Sequence, residues 1–233
     1  MLARAVLSLL AAALCGRCAS SNAVAPDAPA RAEAPSEARY LALGDSFTIG
    51  TGSSAAQAFP SRLAARWSAP RCRVTLRNPA VNGFTTQDLI DRELPELRAF
   101  APTWVSLAVG ANDLVRGSDV ARYRAQLARI FDAIAAAGVP ASRVLVIPQP
   151  DWAHTPTGRS FGEPEAVFAR IVAFNDALRA LATERGARYV DLFPRMREQA
   201  RAGQVAPDGL HPDARAHDAW AEALAREVPT PCS

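Results

Sequence analysis

Tyr40-Leu41-Ala42-Leu43-Gly44-Asp45-Ser46-Phe47-Thr48 is the stretch from which the fold is read. Four apolar residues run without a break into a glycine, and a serine follows two positions later. A continuous apolar run of this length suits a parallel strand covered on both faces, and the glycine marks its end. A strand that stops at a glycine turn gives the serine a rigid base, an exposed position and nearby backbone N–H groups. Taken alone, Gly44-Asp45-Ser46 is equally a turn from strand into helix with a capping serine. What the rest of the chain carries, and in what order, separates the two.

Working outward, five short apolar runs alternate with five helical patterns. The spacing predicts strands over 39–44, 73–78, 104–109, 143–148 and 188–192, and helices over 55–68, 86–100, 120–137, 164–185 and 212–227. Tyr123, Leu127, Ile130 and Ile134 recur at helical spacing, as do Val167, Ile171, Phe174, Leu178 and Leu181; Gly138 and Gly186 close the two patterns. Pro95 is expected to kink or split the second helix. Strand–helix alternation throughout implies right-handed crossovers and an α/β three-layer sandwich. Sites in such sheets form at the carboxyl ends of the strands. The loop 149–163 is the longest of those and holds Trp152, His154, Arg159 and Phe161.

A chain of 233 residues that is 49% hydrophobic is long enough for one domain with a full core. The net charge of +3 comes from scattered arginines with no basic block, and aromatics are only 7%, so nucleic acid is not an expected partner. Arg4 followed by the apolar run 5–14 reads as a secretory signal with Ala23-Val24-Ala25 as its cleavage site, or else as an uncleaved anchor. Residues 1–25 are thus expected to be a signal peptide, 26–38 a flexible linker and 39–233 the folded domain, in a secreted or periplasmic monomer without stable membrane insertion. Leu14 before Cys15 and Arg17 before Cys18 do not fit a lipidation signal. Cleavage leaves Cys72 and Cys232, an even count in an exported chain that invites a disulfide at the end of the sheet away from the site; two free thiols are the alternative.

Each loop after a strand supplies one thing that acyl transfer requires. Ser46 is the candidate nucleophile, and a hydroxyl needs a base within reach. His211 is that base, and Asp208, three residues earlier on the same turn, holds the imidazole. Pro212 suits the first turn of a helix and would fix where His211 enters. The N–H groups of Ser46 and Gly83 and the amide of Asn112 form the candidate oxyanion hole, with Gly83 allowing close backbone approach.

The blocks 41–48, Asn78-Pro79-Ala80-Val81-Asn82-Gly83, Val109-Gly110-Ala111-Asn112-Asp113 and Pro207-Asp208-Gly209-Leu210-His211-Pro212 together resemble the SGNH, or GDSL, hydrolase family. The resemblance runs from about Arg39 to the last helix. It implies a flavodoxin-like five-stranded parallel sheet of order 2-1-3-4-5 and a serine esterase mechanism without metal or cofactor. Phe47 stands where the family name has Leu.

The remaining candidates are weaker. Asp45 is expected to organise the nucleophile turn or line the substrate site, and Asp113 to cap the loop after the third strand. Trp152, His154 and Phe161 are candidate substrate contacts from the long loop. His217 is expected on the surface, and Asp191 as a second, less favoured choice for the acid. With three His in all and no Cys/His cluster, no metal site is expected. The expected activity is hydrolysis of short acyl or lipid esters through an acyl-enzyme. A carbohydrate O-acetyl esterase or an acyltransferase acting on envelope or extracellular glycans is the alternative, and a binding module with a decayed site the non-enzymatic one.

Overall fold

The structure, a computed structural model, describes residues 36–229 and 231–232. The expected signal peptide, and most of the expected linker, lie outside the described residues. Strand β1 (Ser36–Gly44) begins three residues earlier than its apolar pattern, so residues 36–38 belong to the sheet rather than to a linker. It is joined by β2 (Cys72–Arg77), β3 (Trp104–Ala108), β4 (Val144–Val146) and β5 (Arg188–Tyr189) in the order β2-β1-β3-β4-β5, every neighbouring pair parallel.

Alternation along the strands divides the core between two faces. Leu41 and Leu43 of β1, with Val105 and Leu107 of β3, face α3 (Thr86–Arg92), α6 (Val120–Ala136) and α7 (Pro164–Glu184), whose Leu89, Leu127, Ile130, Ile171, Phe174 and Leu178 are buried with them. Tyr40, Ala42, Trp104 and Leu145 face α2 (Phe59–Trp67) and α9 (Ala214–Glu227), where Leu63, Trp67, Trp220 and Leu224 close the opposite layer. Two polar pairs are buried on this side: the Tyr40 and Ser106 hydroxyls lie 2.7 Å apart, and the Trp67 indole N–H donates to the Val228 carbonyl at 2.7 Å.

Several helix ends follow side-chain chemistry. Thr85 and Asp88 form a reciprocal capping box on α3, and Asp119 caps α6. The expected break at Pro95 is present: α3 stops at Arg92 and α4 (Pro95–Phe100) starts with proline in its first turn. Other expectations are corrected. The last helix starts at Ala214, with Asp213 accepting from the Arg215 and Ala216 N–H groups, so Pro212 precedes the cap instead of opening the helix. Strand five ends at Tyr189, and the chain then turns into α8 (Phe193–Arg201), which the periodicity did not suggest. His217 is fully buried, not on the surface. Its Nδ1 accepts the Phe59 N–H at 3.3 Å, and its ring packs on Phe59 and Trp220. Burial, with the neighbouring His211 adding and Asp213 opposing, pushes its pKa down to about 4.

Cys72 and Cys232 are bonded, with Cα atoms 5.6 Å apart and a sequence separation of 160. The bridge fastens the beginning of β2 to the end of the chain. The Trp104 indole adds a second tie there, donating to the Pro231 carbonyl at 2.8 Å.

Candidate active site

Gly44, the last residue of β1, has no room for a Cβ, which would run into the Thr48 side chain and the Ala108 carbonyl. Asp45 follows in an extended conformation and caps the short helix α1 (Ser46–Ile49), its Oδ1 accepting the Phe47 N–H at 3.0 Å. Thr48 Oγ1 donates to Ala108 O at 3.3 Å, and the Asn78 amide donates to Thr48 O at 3.0 Å. The turn is thereby pinned to β3 and to the loop after β2. It presents Ser46 at the carboxyl end of the sheet, 5% exposed. Asp45 itself is 1% exposed. Burial pushes its carboxyl up to about 7, against the Phe47 and Gly110 N–H groups and with help from Asp113. It caps and so organises the turn, as one of its two expected parts required, and is not among the residues that line the cleft, which corrects the other.

Asp208 and His211 form a closed turn. Asp208 Oδ1 accepts the N–H groups of Leu210 at 2.9 Å and His211 at 3.0 Å, and Oδ2 lies 2.7 Å from His211 Nδ1. Partial burial works to raise the Asp208 pKa, but those bonds outweigh it and hold the carboxyl below its ordinary value. With a carboxylate against Nδ1, the ring proton is assigned to that nitrogen and Nε2 is left as the acceptor. The imidazole rests against Phe47, ring centroids 5.2 Å apart. Thr157 of the long loop reaches over the same turn. Its N–H donates to Gly209 O at 2.9 Å and its hydroxyl to Asp208 O at 2.6 Å.

Ser46, Asn112, Trp152, Phe161, Leu210 and His211 line one cleft of about 100 Å³. A larger groove of about 700 Å³ runs between α4 and α6, but its walls are Ile90, Leu94, Leu97 and alanines with Arg98. It offers no nucleophile, so chemistry and not size selects the smaller cleft. Asn112 lies in α5 (Ala111–Val115) and donates one amide hydrogen to the Phe84 carbonyl at 3.0 Å, which leaves the other for the cleft. Gly83 neighbours the cleft residue Asn82, and its carbonyl accepts from Arg116 at 2.8 Å. The space around its missing Cβ is open, so its φ of +84°, rather than crowding, is what favours glycine.

Other expectations are sorted by the same geometry. Trp152 is buried in the cleft wall, its indole donating to Gln149 Oε1 at 3.0 Å, and Phe161 meets it edge-on and is 43% exposed. His154 does not reach the cleft. Its Nδ1 lies 2.9 Å from Asp151 and its Nε2 3.2 Å from Glu165, with Phe168 beside the ring, so an acidic pairing holds it in place. Asp113 fastens the start of α3, accepting the Thr86 N–H at 2.9 Å, instead of capping its own loop. Asp191 pairs with Arg179 on the surface. Thr157 and Phe47 were not anticipated. Phe47 stood within the quoted block, whereas nothing local marks Thr157 as the partner of a turn 51 residues on.

A parallel sheet of order 2-1-3-4-5, flanked by helices and carrying its cleft at the strand ends, defines a flavodoxin-like α/β sandwich. The model of the GDSL-like lipase/acylhydrolase family matches residues 42–219, and the chain belongs to that family, whose members include esterases. It is 27% identical over 196 residues to the thioesterase 1/protease 1/lysophospholipase L1 of Escherichia coli strain K12, across 81% of this chain and 82% of that protein. Two solved structures share the fold. One is an acetylxylan esterase from Geobacillus stearothermophilus, with a TM-score of 0.68 and 20% identity over 83% of this chain and 94% of that one. The other is a lipolytic G-D-S-L family protein from Veillonella parvula, with a TM-score of 0.66 and 19% identity over 82% and 97%.

Proposed function

We propose that this chain is a serine hydrolase of carboxylic esters that works through an acyl-enzyme. The observation that carries the reading is the Asp208–His211 pair, 2.7 Å apart, backing onto a cleft that Ser46 also lines. Ser46 Oγ attacks the acyl carbon while His211 Nε2 takes its proton, and Asp208 stabilises the imidazolium that forms. The N–H groups of Ser46 and Gly83 and the free Asn112 amide hydrogen receive the developing oxyanion. The alcohol leaves with the proton from His211, and water repeats the sequence to release the acid.

The cleft favours a short acyl group. About 100 Å³ is well below the roughly 300–1,000 Å³ of drug-sized ligand sites. Phe161 and Val115, 43% and 45% exposed, give the mouth an apolar rim on which the alcohol portion can rest. The exposed Phe161 ring also supports a second reading, in which a sugar stacks there and an O-acetyl group enters the cleft, with hydrolysis or transfer as the outcome. The disulfide is compatible with an exported enzyme, secreted or periplasmic.

Ser46→Ala is expected to lower kcat on p-nitrophenyl acetate by about 10⁶-fold with an unchanged circular dichroism spectrum. Retention of wild-type turnover in that variant removes Ser46 as the nucleophile. Comparison of acetyl, butyryl and octanoyl esters, together with an acetylated xylo-oligosaccharide, separates the short-acyl reading from its alternatives.

A further inference from the structure

Glu93 lies between α3 and α4, 1% exposed, and takes no part in the chemistry above. Its Oε2 accepts the Gly44 N–H at 3.0 Å, and its Oε1 has no hydrogen-bond partner. A buried carboxyl with an unsatisfied oxygen is destabilising. Burial pushes its pKa up to about 8, with the Gly44 N–H opposing and Asp45 adding. Such a group needs a reason to be where it is, and the Gly44 N–H supplies one.

Gly44 is the hinge between β1 and the nucleophile turn. Its carbonyl side leads into Asp45, whose carboxyl holds the Phe47 N–H at 3.0 Å. Its N–H side is held by Glu93. The turn is therefore gripped before and after by a buried acid, with Ser46 between the two grips. Glu93 is itself fixed: its N–H closes α3 on the Leu89 carbonyl at 2.9 Å, and Pro95 prevents that helix from continuing. We propose that Glu93 is a positioning residue for Ser46, setting through the Gly44 N–H where β1 ends and hence where the Ser46 hydroxyl points. The proposal rests on Ser46 being the nucleophile.

The test uses Glu93→Met, which keeps the length of the side chain without an acceptor, and Glu93→Gln, which restores the acceptor. Steady-state kinetics on p-nitrophenyl acetate are read alongside the second-order rate of covalent labelling by di-isopropyl fluorophosphate, with the adduct located by peptide mass. Misplacement of a reacting atom by about 1 Å is worth about 10²-fold. Glu93→Met is therefore expected to lose about 10–100-fold in kcat and in labelling rate, with KM within about 2-fold, and Glu93→Gln to recover both to within about 3-fold of wild type. Unchanged kcat and labelling in Glu93→Met, a loss confined to KM or to Tm, or an equal loss in Glu93→Gln overturns the proposal. Should Glu93→Met not fold, the same rates are read on Glu93→Asp, where withdrawal of the acceptor by one methylene should cost about 3–10-fold and an unchanged rate again overturns it. Absence of an adduct on Ser46 in the wild-type protein identifies failure of the nucleophile reading instead.

Discussion

The proposed mechanism gives Asn112 two tasks within one side chain. One amide hydrogen is committed to the Phe84 carbonyl, which locks the rotamer and ties α5 to the loop that carries Gly83. The other is free to meet an oxyanion in the proposed mechanism, already oriented by the first. Asn112→Ala is expected to reduce kcat by about 10²–10³-fold, with KM changed by less than about 3-fold, in steady-state kinetics on a short ester. A loss smaller than about 3-fold takes Asn112 out of the oxyanion hole. Single residues also show best what was legible. Ser46 and Asn112 stand in short blocks directly after strands, and Asp208 and His211 in one between α8 and α9, where local sequence is informative. His217 reads as surface if its face is counted from His211, which lies before the helix; within α9 it shares the buried side with Trp220, Ala221 and Leu224. Glu93 carried no signal, since an acid at the end of a helical pattern reads as a solvated face and its partner lies 49 residues away.

At the scale of elements, the turn after β1 is set among acids whose pKa values burial raises. Asp45 titrates at about 7 and Glu93 at about 8 in the folded chain, against roughly 4 when unfolded. Asp113, which also acts on Asp45, is raised by its own burial, and the nearby Tyr123 is raised as well. Because the folded pKa values exceed the unfolded ones, the stability these carboxyls contribute is fully present below about pH 4 and is lost as pH rises through 7 and 8. His217 has the opposite sign. Its folded value of about 4 lies below the ordinary 6.5, so its contribution is present above 6.5 and lost as pH falls through 4. Above 6.5 the acids act without that compensation. Thermal melts should show Tm falling between pH 6.5 and 8.5, and Glu93→Gln should flatten the fall; an unaltered slope removes Glu93 as a source. The elements themselves were largely legible where burial is two-sided, as in β1 and β3, or where the apolar stripe is long, as in α6 and α7. α8 escaped because only Met196 and Gln199 of its nine residues are buried, too sparse a pattern to establish a period.

At the scale of the molecule, two core layers and one covalent bridge hold the sheet. Closing a loop of 160 residues is worth about 5 kcal/mol by chain entropy. Reduction, or Cys72→Ser, is expected to lower Tm by about 10 °C, measured by calorimetry with and without reductant. A shift under about 2 °C means that the reduced ends remain held by the Trp67 and Trp104 indole bonds. The position of the bridge also divides the site. Gly83, Asn112, Asp208 and His211 lie inside the covalent ring from Cys72 to Cys232, whereas β1 and Ser46 lie outside it. Stretched from its two ends, the oxidised chain can release only the segment ahead of Cys72, roughly 120 Å of extended polypeptide from the start of β1. That segment holds an interior strand of the sheet and the serine. A single mechanical rupture would draw Ser46 away from His211, parting the proposed nucleophile from its proposed base, and leave His211 in a closed hoop.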